Sequence, residues 1–105
     1  MTLVKFFYDG NVLNGFSVKG HSTEHCDDEN GKLVCSAISS AVYLVANTVT
    51  EIIGDTADIK VEDALMILRV DKPSDETKAL LKGFKLHIEE LSVQYSNLIK
   101  VYSEV

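Results

Sequence analysis

The first twenty residues alternate between apolar and polar positions. Thr2 to Tyr8 is rich in β-branched and aromatic side chains with a period of two, which predicts a strand. Asp9-Gly10 follows, and this pair readily adopts the positive φ of a tight turn. Val12 to Lys19 is therefore predicted to return as an antiparallel strand, with a bulge marked by Gly15.

After the second predicted strand the spacing of apolar residues changes. A stretch without periodicity comes first, and a stretch with the period of a helix follows. Ser22 to Lys32 is polar throughout, which is typical of an exposed loop. From Leu33 to Ile53 apolar residues recur at helical spacing, and Gly54 is suited to end that helix. Many of these residues are β-branched, so we expect the helix to be stabilised mainly by packing.

The second half of the chain repeats the sequence of two strands and one helix. Ile59 to Glu62 and Leu65 to Val70 are predicted strands joined by a turn at Asp63-Ala64. Ser74 is a favourable N-cap for a second helix, which has one apolar face. Ile99 to Val105 alternates again and could add a short edge strand.

The order ββαββα, with a C-terminal strand as an addition, favours an α+β fold. We predict a two-layer sandwich in which a mostly antiparallel sheet carries both helices on one face. The chain has 105 residues, which is enough for one hydrophobic core but not for two. Residues 1–105 are therefore predicted to form a single domain.

Composition narrows the classes of function. Hydrophobic residues make up 46% of the chain and charged residues 25%, as in a soluble globular protein. A net charge of −6 argues against direct binding of nucleic acid and favours a basic partner. No apolar run approaches the ~20 residues of a membrane span, and no signal peptide is evident, so we expect a cytoplasmic protein without a membrane partner. The chain has two cysteines, and a structural disulfide between them is not expected in the reducing cytoplasm.

The residues with the clearest chemistry are His21 and Cys35. His21 follows the second predicted strand, and Cys35 lies where the long helix is predicted to begin. Unpaired N–H groups at a helix start stabilise a thiolate, so Cys35 is a candidate nucleophile with His21 as its base. The N–H groups of Cys35 and Ser36 could bind an oxyanion, and Ser39, one turn later, could line the pocket.

The same residues are also compatible with structural or metal-binding roles. Cys35 could simply be packed in the core, as cysteines often are. His21, His25, Cys26 and Cys35 could bind zinc, although their spacing does not follow the usual paired ligands, and we predict neither a metal nor another cofactor. The acidic run Asp27-Asp28-Glu29 is most simply a solvated surface, but it could attract a basic peptide or orient His21.

Taken together, these motifs resemble the ribosomal-processing cysteine protease family Prp, which includes YsxB-like proteins. The resemblance covers nearly the whole chain and depends most on Gly20-His21, the acidic loop and Leu33 to Ser39. It implies a cytosolic bacterial endopeptidase, typically a homodimer. Its substrate would be the precursor of large-subunit ribosomal protein twenty-seven, from which the family removes an N-terminal extension.

The resemblance also implies roles for individual residues. His21 would be the base and Cys35 the nucleophile, while Gly20 and Ser39 match further family positions around the site. The alternative from another class is a noncatalytic ribosome-associated or protein-interaction module, in which Cys35 is only a core residue.

The sequence departs from the family pattern in the loop between the two residues. Lys32 stands three positions before Cys35, where many members have an acidic residue. Asp27, Asp28 or Glu29 could replace that acid as a support for His21. Cys26 has no assigned role.

Overall fold

A five-stranded sheet with two helices on one face forms the part of the chain that the computed structural model describes, residues 1–20 and 29–104. This arrangement confirms the predicted α+β fold. In chain order the elements are β1 (Thr2–Asp9), β2 (Val12–Lys19), α1 (Glu29–Asn47), a π-helical turn (Thr48–Ile53), β3 (Ala57–Glu62), β4 (Leu65–Val70), α2 (Asp75–Gln94) and β5 (Ile99–Glu104).

The strands lie in the order β3-β4-β2-β1-β5. Both predicted hairpins are present, and β2 also pairs antiparallel with β4. The C-terminal strand, left open by the sequence, forms and pairs with β1 in parallel, with Thr2 opposite Ile99. Among the described strands, β3 and β5 are therefore the two edges of the sheet.

The predicted bulge near Gly15 is confirmed. In the first hairpin Phe7 pairs with Gly15, whereas Tyr8 pairs with Leu13. Asn14 is thus the additional residue on β2, and the insertion shifts the alternation of the strand at this point.

The core lies between the sheet and the two helices. Phe6 and Phe16 on neighbouring strands are fully buried, and both contact Phe84 of α2. The ring centroids are 5.8 Å apart for Phe6 and Phe84, and 4.5 Å apart for Phe16 and Phe84. Burying each such side chain contributes about 1.5–3 kcal/mol, so this cluster fixes α2 on the sheet.

The start of α1 differs from the prediction. The helix begins at Glu29 and not at Leu33, so Asn30 and Gly31 belong to it although their propensities favour a turn. Gly31 and Val34 are buried, which indicates that packing outweighs local propensity here. The predicted end is confirmed: Gly54 has φ +87°, and its N–H donates to the carbonyl of Val49 at 2.9 Å.

The helical stretch Glu29–Ile53 meets the length and hydropathy requirements of a membrane span, which was not expected from the sequence. One such helix is weak evidence, because a core helix meets the same requirements. Here Val34, Ile38 and Val42 are buried in the core that this helix shares with the sheet. Packing within the domain thus accounts for the apolar stripe of α1.

The start of α2 is held by a carboxylate from the segment before β3. Ser74 is the N-cap, as predicted, and its hydroxyl accepts from the N–H of Thr77. Asp55 accepts from the backbone N–H of Ser74 at 2.9 Å and from its hydroxyl at 2.8 Å. Three hydrogen bonds to the carboxylate hold the pKa of Asp55 below its usual value. The bond from the Thr77 hydroxyl has the largest effect, and the two bonds from Ser74 add to it.

We expect Asp55→Asn to lower the free energy of unfolding at pH 7. The pKa of Asp55 is lowered in the folded state, so the ionised carboxylate stabilises the fold. This contribution to the free energy of unfolding is fully present above the unfolded pKa of about 3.9. It is lost as the pH falls through the folded pKa. Urea unfolding should therefore show a smaller difference in the free energy of unfolding between Asp55→Asn and wild type at about pH 3 than at pH 7. Asp75→Asn, an exposed carboxylate in the first turn of α2, is the control and should change stability less.

Candidate active site

The end of β2 is fixed by a residue that has to be glycine. Gly20 has φ +114°, and a Cβ atom placed on it would lie 2.4 Å from the carbonyl oxygen of Met1. Its N–H donates to the carbonyl of Ala64 at 3.0 Å, which ties the end of β2 to the turn between β3 and β4. Gly20 therefore sets the position from which the chain continues into His21.

His21 itself lies outside the described residues, as do Cys26, Asp27 and Asp28. The pairing of His21 with Cys35, the acidic support for His21 and any role of Cys26 consequently stay predictions. Glu29, the remaining acidic candidate, is exposed in the first turn of α1.

Cys35 lies further into α1 than the sequence predicted. It is the seventh residue of the helix and is half-buried, next to the fully buried Val34. Cys35 and Ser36 therefore lie beyond the first turn of α1, and their role as N–H donors to an oxyanion stays a prediction.

A groove runs between α1 and the hairpin of β3 and β4. Its volume is about 200 Å³. Ser39, one helical turn after Cys35, lines it together with residues of β2, β3 and β4. Most of its lining side chains are apolar: Val18, Ile38, Val42, Tyr43, Val61, Ala64, Leu65 and Met66. The groove can therefore accept apolar side chains of a ligand, and one of its lining residues lies one helical turn from Cys35.

The turn between β3 and β4 connects this groove with the end of β2. Ala64 and Leu65 line the groove and also line a second cavity together with Gly20. Ala64 has φ +60°, an unusual conformation for a residue with a side chain, and its carbonyl accepts the N–H of Gly20. Gly20 and Ser39 thus line two cavities that share Ala64 and Leu65.

Ser36 is separated from this group. It is exposed and lines a different shallow cavity with Glu29, Lys32 and Leu33 at the start of α1. Lys32, which lines the same cavity, is exposed as well. The structure therefore brings Gly20 and Ser39 towards one site and places Ser36 beside it.

Three groove residues carry no functional signal in the sequence. Tyr43 occupies a polar position of the long helix, and Val61 has the pattern of an ordinary strand residue. The positive φ of Ala64 has no signal in its residue type. The groove arises from contacts between distant elements, so its lining could not be identified from local patterns.

The zinc alternative is not tested by the structure. Within residues 1–20 and 29–104, no group of three or more His, Cys, Asp or Glu side chains is arranged to hold a metal ion. Three of the four residues considered for zinc, His21, His25 and Cys26, lie outside those ranges.

One protein family and several solved structures match this chain. A family model described as "Cysteine protease Prp" matches residues 1–100. No match was found among curated protein sequences. The fold is similar to that of an essential ribosomal processing protease, Prp, from S. aureus solved with a substrate peptide: TM-score 0.88, 18% identity, covering 99% of this chain and 100% of that chain.

Two further solved structures have the same fold. The S. aureus protease with a covalently linked product peptide gives a TM-score of 0.85 at 19% identity, covering 99% of this chain and 100% of that chain. SMU.848 from Streptococcus mutans gives a TM-score of 0.86 at 16% identity, covering 98% of this chain and 93% of that chain. At these identities the structural matches establish the fold, whereas the family model establishes the relationship.

We expect Gly20→Ala to destabilise the protein by about 1–3 kcal/mol or more, because a side chain here meets both an unfavourable φ and the Met1 carbonyl. Urea unfolding measures the change. Gly83→Ala is the control: Gly83 lies in α2, a Cβ there meets nothing within 4 Å, and the variant should be as stable as wild type or more so. Equal stability of Gly20→Ala and wild type would contradict the constraint at the end of β2.

Proposed function

Because the chain belongs to the cysteine protease Prp family, we propose that it is a cysteine endopeptidase with a Cys35–His21 dyad. Its proposed substrate is the precursor of large-subunit ribosomal protein twenty-seven, from which it removes an N-terminal extension during ribosome assembly. The observation that carries the proposal is the position of Cys35, one helical turn from a residue that lines an apolar groove.

Further support comes from the fold and from the sequence motifs. The S. aureus protein of the same fold is described as an essential ribosomal processing protease and was solved with a substrate peptide. In this chain, Gly20-His21 after β2 and the segment around Cys35 are the motifs that resemble the family. A net charge of −6 is suited to attracting a basic peptide, such as the end of a ribosomal protein.

In the proposed reaction, His21 takes the thiol proton of Cys35 and leaves a thiolate. The sulfur attacks the carbonyl carbon of the scissile peptide bond. When the C–N bond breaks, His21 returns the proton to the departing amine, and a thioester joins the N-terminal product to Cys35. A water molecule, deprotonated by His21, then hydrolyses the thioester and restores the thiol.

The supporting residues have more limited roles in this proposal. Gly20 positions the chain at His21 through its contact with Met1 and its hydrogen bond to Ala64. Ser39 contributes to the wall of the groove. An acidic residue of the loop, Asp27, Asp28 or Glu29, would orient His21. The oxyanion role of the Cys35 and Ser36 N–H groups stays part of the proposal, although α1 continues through both residues.

We also propose that the protein acts in the cytoplasm as a homodimer. A reducing cytoplasm keeps a catalytic thiol available, and ribosomal precursors are made there. The dimer is proposed from the family resemblance, and large apolar side chains that are exposed on the single chain, such as Leu44 and Leu86, would be available to a second copy.

A noncatalytic ribosome-associated or protein-interaction module is the second candidate function. It is favoured by the position of the cysteine, since Cys35 is half-buried within a helix and lies beyond its first turn. A cysteine in that position has the environment of a packed side chain as well as of a nucleophile. Reactivity separates the two, since a nucleophile is alkylated rapidly at neutral pH.

Replacing the nucleophile tests the proposed reaction directly. We expect Cys35→Ala to abolish cleavage of a peptide that spans the junction between extension and mature protein, measured by mass spectrometry, because no other group forms the thioester. Cys26→Ser should retain activity and serves as the control. Cleavage by Cys35→Ala at the wild-type rate would rule out the proposed enzyme.

Replacing the base should have a smaller but still large effect. We expect His21→Ala to lower kcat/KM by about 10²–10⁴-fold, which is the usual contribution of a general base. Added imidazole should restore part of the rate in this variant but not in Cys35→Ala. An unchanged rate for His21→Ala would show that another group removes the thiol proton.

A further inference from the structure

The edge strand β3 and the groove beside it form one continuous surface, and we propose that the peptide substrate binds there. In this arrangement the substrate adds a strand to the outer edge of β3, and Tyr43 and Val61 select its apolar side chains. The inference rests on the proposed function and specifies where and how the substrate is held.

The backbone of β3 is available for such pairing. Among the described strands β3 pairs only with β4, so its other edge presents N–H and C=O groups that no described strand occupies. An extended peptide can satisfy these groups by continuing the sheet, a recognition mode in which main-chain hydrogen bonds provide affinity. A cleavable terminal extension is suited to this mode because it can bind in an extended form.

The side chains next to this edge are apolar and accessible. Ile59 pairs with Leu68, and Val61 pairs with Met66, so both lie on the face of the sheet that carries the helices. They are nevertheless 42% and 60% exposed. On α1, Tyr43 is 54% exposed and lines the groove together with Val61. Alternate side chains of an added strand would enter the space between Val61 and Tyr43.

The spacing along α1 matches the spacing along an extended peptide. Cys35, Ser39 and Tyr43 are four residues apart on one helix, which corresponds to about 6 Å along the helix axis per step. Alternate residues of an extended peptide are about 6.6 Å apart. A peptide whose scissile residue lies at Cys35 would therefore place the side chain two residues away near Ser39. The side chain four residues away would lie near Tyr43 and Val61.

The side-chain part of the proposal is tested by kinetics and by binding. Val61→Asp and Tyr43→Ala should each raise KM about 10-fold or more with little change in kcat, because they contact the substrate away from the reacting atoms. Fluorescence anisotropy of the same peptide on the Cys35→Ala protein should show the same loss of affinity when the groove substitutions are added. Val93→Asp, an exposed position on α2, is the control and should change neither quantity.

The backbone part is tested with N-methylated peptides. Because an edge strand uses the N–H groups of alternate residues, N-methylation at every second position should weaken anisotropy-measured binding about 10-fold, while the intervening positions should tolerate it. Loss of affinity without this alternation, or no loss at all, would overturn strand addition.

The failure of this inference is distinguishable from failure of the proposed function. If cleavage depends on Cys35 while Val61→Asp and Tyr43→Ala have wild-type KM and affinity, the substrate binds elsewhere and the inference is wrong. If cleavage is absent or independent of Cys35, the proposed function is wrong. Thermal unfolding of both groove variants checks that they are folded. If Val61→Asp is unfolded, the KM and affinity of Tyr43→Ala decide the test.

Discussion

Burial of one face of the sheet beneath two helices is the constraint on which the rest of the structure depends. Phe84 fixes α2 against Phe6 and Phe16, while Val34 and Ile38 fix α1 over the neighbouring strands. Since α1 can bury only one stripe, its remaining positions are set by helical periodicity. The half-buried position of Cys35 and the position of Ser39 at the groove follow from this packing.

The backbone contributes as much to the site as the side chains do. Gly20 leaves β2 in a conformation that other residues rarely adopt, close to the carbonyl of Met1 and bonded to Ala64. Ala64 itself has a positive φ. Two unusual backbone conformations are thus hydrogen-bonded to each other at the end of the sheet where α1 begins. The strands on both sides of this arrangement are paired, so the sheet holds both of its ends in place.

Local patterns in the sequence were sufficient for most of the elements. Alternation in Val12 to Lys19 and Leu65 to Val70 predicted these strands with their observed bounds, and Ser74 and Gly54 marked helix ends correctly. These signals are local, since they depend on turn chemistry, capping and the period of burial.

By contrast, the features that the sequence did not predict depend on contacts between distant parts of the chain. Asn30 and Gly31 are poor helix formers, yet they extend α1, because burial of Val34 and Gly31 stabilises its first turns. The groove requires side chains from two separate elements to be brought together. The pairing of His21 with Cys35 is still a prediction from motif and resemblance.

The parallel pairing of β1 with β5 has a kinetic consequence. Thr2 to Phe7 pair with Ile99 to Glu104, so this ladder closes a loop that contains nearly all of the chain. The two hairpins need only short loops, whereas closing such a long loop costs more chain entropy and gives contacts of high sequence separation. We therefore expect the hairpins to form early in folding and the β1–β5 ladder to form late. Until that ladder forms, one edge of β1 is open to other chains.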